Sequence, residues 1–399
     1  MITNLSIKNF RSIKAQDLEL RKLNILYGPN GSGKSSVMYA PYVMRNFFIN
    51  PNQRVNKLFD FGFINLGGFE EVVSRNEKLS DINISIAVDL EKSYQYPILL
   101  KTDLDVKEKI FAYNFNLSAI SGYSGTSFIF NEFNDHLKID LPYALNDKRK
   151  VIINEKEFLW NGLTFESTTN EGNKNKFSAA ILNSVFEYIK NIELISVKRG
   201  FFSPIFSTEQ ASDESLFAMQ IRDEGTAFES KIDHYFKQIF NKTFRFVAIP
   251  GSTSFYLRTQ NSKGFSTDLV NEGFGVNQTI YMLIKLLKKS TSFAFIEEPE
   301  IHIHPSAQNK LMDAFVDIIK NEQKQIFLST HSENIVSSVL TKIASGELNT
   351  SDVQFFLAES KDGETVITPQ TVNDKGQIEG GLLSFMETEL ANLKTILGV

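Results

Sequence analysis

The 399-residue chain contains no cysteine and a single tryptophan. The absence of cysteine excludes disulfide bonds, thiolate zinc sites and cysteine nucleophiles, and it is compatible with a reducing cytoplasm. Neither sign of charge dominates, since the formal net charge is −5. The bulk charge therefore does not predict a protein that coats DNA non-specifically, although a local basic patch stays open.

Long hydrophobic runs are absent as well. No stretch reaches the roughly 18 apolar residues that a transmembrane helix needs, and the start MITNLSIKNF lacks the basic region and apolar block of a secretion signal. We therefore expect a cytoplasmic protein without a membrane partner. What the chain does have is a globular composition, with 42% hydrophobic residues and 35 Phe, which is typical of a well-filled core.

A glycine-rich loop near the N terminus is the first functional signal. Residues 28–36 read GPNGSGKSS and match G-x-x-x-x-G-K-[ST] at every fixed position. An apolar strand over 23–27 precedes this phosphate loop, and a helix is predicted after Lys34. Strand, loop and helix in that order are what a phosphate site needs, although Pro41 should kink the helix or end it early.

The chemistry of this loop follows from its residue types. Glycines let backbone N–H groups point at phosphate oxygens, and the helix N terminus adds partial positive charge. Lys34 would reach the β- and γ-phosphates in binding and catalysis, and the Ser35 hydroxyl would coordinate Mg²⁺. A plain glycine turn is the alternative. The nucleotide contacts are predicted at Asn30, Gly31, Ser32, Gly33, Lys34, Ser35 and Ser36.

Two adjacent carboxylates follow a second apolar strand. The run SFAFI over 292–296 predicts a buried parallel strand, and EEPEIHIHP comes directly after it. Glu297 would hold Mg²⁺ through water, and Glu298 would orient and activate the attacking water. A solvated acidic turn is the alternative. Pro305 then begins an amphipathic helix.

Two further pieces complete the pattern. In QIFLSTHSE, His331 follows another buried strand, where a histidine can hydrogen-bond a γ-phosphate or the attacking water. In LVNEGFGVNQ, residues 269–278, Gly273 and Gly275 precede a predicted helix and so form a second anion-binding end. This signature segment would bind the γ-phosphate of a nucleotide held by another subunit. A structural histidine and a simple helix start are the alternatives.

The order of these four motifs resembles ABC-type ATPase heads of the SMC, RecF and OLD kind, and most of all stand-alone prokaryotic AAA-type ATPases that accompany defence systems. The similar stretches are LSIKNFRSIK, LNILYGPNGSGKSSVMYA, AFIEEPEIHIHP, LSTHSENIV and NEGFGVNQ. The resemblance implies an α/β fold with a mixed central sheet, flanking helices and a β-rich sub-sheet. It also implies two heads clamped around two ATP molecules, with Arg11 contacting the nucleotide and Arg199 near the site.

The sequence departs from transporter cassettes of this class. Asn271 and Glu272 stand where those cassettes have a Leu-Ser pair, the first acid is Glu297 rather than Asp, and Gln53 is a poor candidate for the Q-loop glutamine. The resemblance divides the chain into an N-terminal part of the head over 1–80, an insertion over 81–240 and a C-terminal part of the head over 241–399.

The insertion is predicted to be β-rich and then helical. Strands are predicted at INISIAVDL, YPILL, FAYNFNL, TSFIF and VIINEKEFLW, and helices at AAILNSVFEYIK, SLFAMQIRD and AFESKIDHYFKQIF. A β-hairpin is expected from FRFVAIP and SFYLRTQ. The segment NEGNKNK, residues 170–176, is predicted to be a mobile loop.

Two other chemistries have weaker support. Glu300, His302 and His304 suggest a metal site, but no fourth ligand is evident. OLD-type nucleases carry an acidic Toprim domain after the head, whereas VQFFLAESKDGET here resembles only a final strand and hairpin. We therefore expect no nuclease in this chain.

The predicted function is Mg²⁺-dependent ATP hydrolysis with ATP-driven dimerisation or higher self-assembly. The first interpretation of the output is a sensor or regulator, paired with a separate effector protein in a DNA-linked or antiviral system. The alternative is a DNA-repair or chromosome-maintenance ATPase that acts on DNA directly. A transporter subunit and a non-hydrolysing scaffold are weaker alternatives, and nucleic-acid binding stays open.

Overall fold

The structure is a computed structural model. It describes residues 1–50, 53–74, 81–89, 110–120, 123–130, 135–140, 149–153, 156–160, 164–167, 183, 186–207 and 213–379. The chain divides into two compact units. The first comprises Met1–Leu194, Ser351–Thr371 and Glu379–Val399, and the second comprises Ile195–Thr350 and Val372–Ile378.

A six-stranded antiparallel sheet dominates the first unit, with strand order β2-β1-β4-β5-β6-β7. Strand β4 alternates buried and half-buried side chains, as expected where one sheet face covers a core. The strands are β1 Ile2–Phe10, β2 Ile13–Glu19, β4 Ile82–Asp89, β5 Ile110–Ile120, β6 Tyr123–Phe130 and β7 Asp135–Asp140.

A second group of strands in the first unit carries the phosphate loop. Strand β3, Leu23–Tyr27, is buried along its whole length. It pairs in parallel with β18, Val353–Lys361, which pairs antiparallel with β19, Glu364–Gln370. Helix α1, Lys34–Ile49, follows the loop. The unit therefore mixes parallel and antiparallel pairing next to its helix.

Smaller elements complete the first unit. Helix α2 covers Phe69–Val72, and a short antiparallel sheet has the order β10-β9-β8. Its strands are β8 Arg149–Ile153, β9 Lys156–Trp160 and β10 Phe165–Ser167. Strand β11, Ile192–Ile195, lies where the chain passes from the first unit to the second.

The second unit contains a buried parallel pair and several amphipathic helices. Strands β16, Phe293–Glu297, and β17, Gln325–Thr330, pair in parallel, and every residue of both is buried. Such uniformly buried strands are typical of a sheet covered on both faces. The helices are α3 Asp213–Asp223, α4 Thr226–Phe240, α5 Phe274–Leu287, α6 Pro305–Asn321 and α7 Glu333–Ala344.

An antiparallel sheet in the second unit precedes the signature segment. Strand β14 pairs with β12, β13 and β15, which forms the hairpin expected from FRFVAIP and SFYLRTQ. The strands are β12 Phe206–Ser207, β13 Lys242–Ala248, β14 Ser254–Asn261 and β15 Ser266–Asp268.

Most predicted elements are present. The expected strands other than YPILL correspond to β4, β5, β6, β8 and β9, and the helices at 215–240 correspond to α3 and α4. YPILL, NEGNKNK and half of AAILNSVFEYIK lie outside the described residues. The α/β class is confirmed, while the predicted domain limits stay predictions.

Helix α1 corrects one of the two outcomes expected at Pro41, the early end of the helix. Pro41 lies inside the helix and does not end it, because the helix continues to Ile49. Most side chains from Ser36 to Phe48 are buried, so tertiary packing holds the helix despite the lost hydrogen bond at the proline. Of the helices in the described part of the chain, none combines the length and hydropathy needed to cross a bilayer.

Candidate functional site

The phosphate loop in the first unit has the backbone shape that its glycines predict. Gly28, Gly31 and Gly33 have φ values of 149°, 76° and 91°, a region that side chains other than glycine rarely adopt. A Cβ at Gly28 would overlap the carbonyl oxygen of Ala358. Backbone conformation therefore explains the glycines of this loop, and packing against Ala358 adds a second reason at Gly28.

Helix α1 begins at Lys34, so its N-terminal N–H groups face the loop. The Lys34 side chain is buried, and its Nζ donates to the carbonyl oxygens of Gly28 at 3.0 Å and Pro29 at 2.9 Å. The Ser32 hydroxyl is fully buried and has no hydrogen-bond partner among the described residues. A buried cation and an unpaired buried donor beside a helix N terminus fit an anion such as phosphate.

The remaining loop residues differ in exposure. Asn30 and Gly31 are exposed, Gly33 and Ser35 are half-buried, and Ser36 is buried with its N–H donating to the carbonyl of Gly33 at 3.0 Å. This range of exposure places several candidate contacts at the surface of the first unit.

The turn between β1 and β2 contacts the hairpin between β18 and β19. The hydroxyls of Ser12 and Thr365 lie 2.7 Å apart, and the N–H of Thr365 donates to the carbonyl of Ser12 at 2.8 Å. Arg11 in this turn has φ 52°, is exposed, and holds its guanidinium 5.7 Å from the ring of Tyr39. An exposed arginine is available to a ligand, and its nucleotide contact stays a prediction.

Gln53, the weak Q-loop candidate, is used locally. Its side-chain amide donates to the carbonyl of Asn46 at 2.8 Å, near the end of α1. This contact gives Gln53 a structural role in the chain segment that follows the helix.

In the second unit, residues 297–300 form the acidic turn. Glu297 ends β16 opposite Ser329 of β17, and it is only 3% exposed. Glu298 leaves the strand with a φ of 43°, and its N–H donates to the carbonyl of Ser329 at 2.9 Å. Left-handed backbone at a residue other than glycine costs on the order of 1 kcal/mol or more and is found where surrounding contacts enforce it.

The structure brings two of the predicted catalytic residues together. His331 Nε2 lies 3.2 Å from Glu298 Oε1, and both side chains are about one third exposed. A carboxylate and an imidazole at hydrogen-bond distance, both reached by solvent, are suited to orient and deprotonate a water molecule.

Glu300 holds the loop that carries His331. Its Oε1 accepts from the Thr330 hydroxyl at 2.6 Å and from the backbone N–H of His331 at 2.9 Å. Sequence reasoning weighed Glu300 only as a metal ligand and missed this contact, since no local pattern links positions 300 and 330.

Arg199 is buried beneath the acidic turn and is only 2% exposed. Its Nη1 donates to the carbonyls of Ser196 at 3.0 Å and Glu297 at 2.5 Å, and its Nη2 donates to the carbonyl of Glu298 at 2.7 Å. Burial lowers the pKa of Arg199 to about 10, and the nearby carboxylates oppose that shift. The guanidinium therefore stays protonated at neutral pH.

The signature segment begins a helix one turn earlier than the sequence suggests. Gly273 is the N-cap of α5, with φ −60° and ψ 145°, and Gly275 lies inside the first turn. A Cβ at Gly275 would lie 2.9 Å from the carbonyl carbon of His302 and overlap its oxygen. Gly275 thus allows the close approach of the helix to the segment after the acidic turn.

Two polar side chains anchor the signature segment. Asn277 accepts from the N–H of Phe201 at 2.8 Å and donates to its carbonyl at 2.7 Å. Glu272 is salt-bridged to Lys242 at 2.8 Å and accepts from the Thr259 hydroxyl. Where transporter cassettes have the serine of a Leu-Ser pair, this chain has a glutamate whose charge is already paired.

The histidines of the suggested metal site have other contacts. His304 is the N-cap of α6 and accepts from the N–H of Ser306 at 3.3 Å, and the His302 ring lies 5.8 Å from that of Phe274. Among the residues that the structure describes, no group of three or more His, Asp or Glu is placed to hold a metal ion.

Comparisons with known proteins identify the family and the fold of the chain. The profile of the AAA ATPase domain family matches residues 1–336. Endonuclease GajA of Bacillus cereus is 22% identical over 355 residues, which cover 84% of this chain and 56% of that protein. The chain thus spans about half the length of this relative.

Two shorter matches were found as well. Old nuclease of Escherichia phage P2 is 34% identical over 82 residues, 18% of this chain and 14% of that protein. The DNA replication and repair protein RecF of Vibrio campbellii is 39% identical over 87 residues, 19% of this chain and 24% of that protein.

A solved structure supports the fold. The Smc head domain derived from Pyrococcus furiosus, bound to the C-terminal domain of ScpA, gives a TM-score of 0.50 at 10% identity over 99% of each chain. The resemblance to ABC-type ATPase heads of the SMC, RecF and OLD kind is therefore confirmed.

Proposed function

Because the chain belongs to the AAA ATPase domain family, we propose that its phosphate loop binds ATP and that Glu298 and His331 hydrolyse it. ATP hydrolysis is the chemistry of the family. The Glu298–His331 pair carries the proposal for how this chain performs it, since the two side chains lie 3.2 Å apart within one unit.

The first unit supplies the binding residues. Backbone N–H groups of Asn30, Gly31, Ser32 and Gly33 would receive the phosphates, together with the buried Ser32 hydroxyl. Lys34 would exchange its two carbonyl acceptors for phosphate oxygens, which form stronger charge-assisted hydrogen bonds. Ser36, Arg11 and, from a second subunit, Gly273 and Gly275 are further proposed contacts.

We propose Ser35 and Glu297 as the residues that would hold Mg²⁺, because each carries an oxygen donor, the ligand type that this cation prefers. When bound, Mg²⁺ supplies charge neutralisation to the phosphates. The carboxylate of Glu297 is almost fully buried at the end of β16, so a bound cation would also compensate its burial.

The second unit supplies the hydrolytic residues. The Glu298 carboxylate would accept a proton from the attacking water, and the His331 imidazole beside it would orient that water. The hydrogen bonds that the Glu300 carboxylate accepts from the Thr330 hydroxyl and the His331 N–H hold the loop that carries the imidazole in place. A preformed pair of this kind lowers the cost of arranging the reacting groups.

The test separates binding from turnover. We expect Lys34→Ala to lose ATP binding, and Glu298→Gln to bind ATP but to hydrolyse it about 100-fold or more slowly. Glu359→Gln is the matched control, because Glu359 is a surface carboxylate paired with Lys361 at 3.0 Å. Wild-type turnover by Glu298→Gln would contradict the assignment.

We propose that two copies share ATP and form a homodimer. The signature helix has an N terminus and a glycine N-cap suited to an anion. If each site needs the other copy, ATPase rate per subunit rises with protein concentration until the dimer is saturated. A rate per subunit that stays constant across dilution would argue against shared sites.

For the biological role, we propose a cytoplasmic sensor or regulator of a separate effector protein in a DNA-linked system, with antiviral defence as the predicted setting. The names of the relatives, an endonuclease, a nuclease and a replication and repair protein, support the link to DNA. Co-purification of another protein in an ATP-dependent manner would support the regulator.

The RecF match favours a second candidate function, a repair ATPase that acts on DNA directly. Stimulation of the ATPase rate by double-stranded DNA, with no added protein, would favour this candidate. A rate that DNA does not change would favour the regulator.

A further inference from the structure

The guanidinium of Arg199 is bonded only to backbone in the described part of the chain. Its two terminal nitrogens donate to the carbonyls of Ser196, Glu297 and Glu298, and its buried Nε has no partner among the described residues. Burying a cation this deeply is costly unless its hydrogen bonds are met. Three charge-assisted bonds to carbonyls offset that cost, and two of them lie on the acidic turn.

These bonds fix both peptide groups on either side of the Glu298 α-carbon. The peptide group between Glu297 and Glu298 is held at both of its polar atoms. The Glu298 N–H donates to the carbonyl of Ser329, and Arg199 donates to the carbonyl of Glu297. The peptide group between Glu298 and Pro299 has no N–H, because proline lacks one. This peptide group is therefore held only through the Glu298 carbonyl. That carbonyl accepts from Arg199 at 2.7 Å and from the N–H of Ile301 at 3.2 Å.

The same bonds set the direction of the Glu298 side chain. Its left-handed φ of 43° turns the carboxylate out of line with β16, whose side chains are buried, and toward His331. If Glu298 adopted a negative φ instead, its side chain would point in a different direction. The left-handed conformation is unfavourable in itself, so it depends on the contacts that enforce it.

We propose that Arg199 is a positioning residue for hydrolysis, which holds the Glu297–Glu298 backbone in the conformation that presents the Glu298 carboxylate to His331. This inference rests on the proposed catalytic role of Glu298. Arginine suits the task because its planar fork reaches two successive carbonyls at once. A lysine at 199 would carry the same charge on a single nitrogen.

The experiment is a double-mutant cycle on steady-state ATP hydrolysis. The variants are Arg199→Lys, Glu298→Gln and the two combined, each measured for kcat, KM and melting temperature. We expect Arg199→Lys to lower kcat about 10- to 100-fold, as for a misplaced catalytic group, with KM changed less than about threefold. Because Arg199 acts through Glu298, adding Arg199→Lys to Glu298→Gln should lower the residual rate no further.

The outcomes distinguish this inference from the proposed function. If Glu298→Gln lowers kcat but the two losses multiply in the double variant, Arg199 acts independently and the inference is wrong. An unchanged kcat in Arg199→Lys, or a change confined to KM, also overturns it. If Glu298→Gln keeps the wild-type kcat, the proposed role of Glu298 fails first, and the inference fails with it.

A matched control separates positioning from general stability. Lys324 is also a buried cation of the second unit, and it donates to the carbonyls of Lys288 and Thr291 at 2.8 and 2.5 Å. Lys324→Met should change melting temperature without lowering kcat. Arg199→Met, which keeps an apolar stem, is the second variant at position 199. Its kcat should fall at a temperature where its melting curve shows it folded, and a wild-type kcat there would overturn the inference.

Discussion

Substitution of Gly275 by alanine tests the packing of the signature helix most sharply. In an ordinary helix, replacing glycine by alanine stabilises by up to about 1 kcal/mol. Here the new Cβ would lie 2.9 Å from the carbonyl carbon of His302 and nearer still to its oxygen, where ordinary contacts begin at 3.4 Å. The neighbouring backbone would have to move by about half an ångström or more.

The size of the effect follows from these two opposing contributions. Overpacking against atoms that cannot rotate away costs about 1–3 kcal/mol, and His302 meets the helix through its backbone. Once the gain in helix propensity is subtracted, the expected net loss is centred on about 1 kcal/mol, within a range of about 0–2 kcal/mol. The effect on stability should therefore have the opposite sign to that of a typical helical Gly→Ala change.

The assay is urea unfolding of Gly275→Ala beside Gly273→Ser. Gly273 is the N-cap of the same helix, a Cβ there meets nothing within 4 Å, and its φ is −60°, so the preferred N-cap serine should leave stability unchanged or raise it slightly. The midpoint should fall for Gly275→Ala at unchanged m-value. A Gly275→Ala protein as stable as the wild type would refute the close packing.

Three further predictions concern a carboxylate acceptor, a buried lysine and a loop glycine. Glu300→Ala leaves the Thr330 hydroxyl and the His331 N–H without their acceptor and should lower the unfolding free energy by about 1–3 kcal/mol. Glu300→Gln keeps an acceptor oxygen and should retain most of the wild-type stability. Equal losses in the two variants would contradict this role of Glu300. Burial lowers the pKa of Lys324 to about 8. Between pH 8 and the usual lysine pKa, the unfolded chain therefore binds more protons than the folded chain. In this range the unfolding free energy of the wild type, relative to that of Lys324→Met, should rise by about 1.4 kcal/mol per pH unit. A difference that stays constant from pH 7 to 10 would refute the shift. Gly33→Ala adds a side chain at φ 91° that overlaps Thr365, so calorimetry should show lost ATP binding together with a lower melting temperature.

The sequence predicts a candidate site because the motifs of such a site depend on local spacing. A loop that wraps a phosphate needs glycines a few residues apart beside a lysine, so residues 28–36 were recognisable before any fold was known. Glu298 and His331 were found in the same way, since each directly follows a strongly apolar run. The sequence alone does not give the 3.2 Å distance between the Glu298 and His331 side chains, because that distance depends on the parallel pairing of β16 with β17.

Other contacts could not be predicted, since they join distant positions through backbone atoms. The residues next to Arg199 in the sequence do not indicate that its guanidinium donates to the carbonyls of Glu297 and Glu298. The close packing of Gly275 against the backbone of His302 could not be predicted either, because the motif accounts for this glycine by anion binding. For Pro41 the early helix end that local propensity allows is wrong, because the buried face of α1 stabilises the helix beyond the proline.

The central claim is that ATP bound at the phosphate loop is hydrolysed by Glu298 in a site shared by two copies. The most direct test is the solution mass of Glu298→Gln measured by light scattering with and without ATP and Mg²⁺. Removing the base should trap ATP between subunits, so the account predicts a mass that doubles only when ATP is present. A mass that does not respond to ATP would contradict the shared site and with it the role of the signature segment.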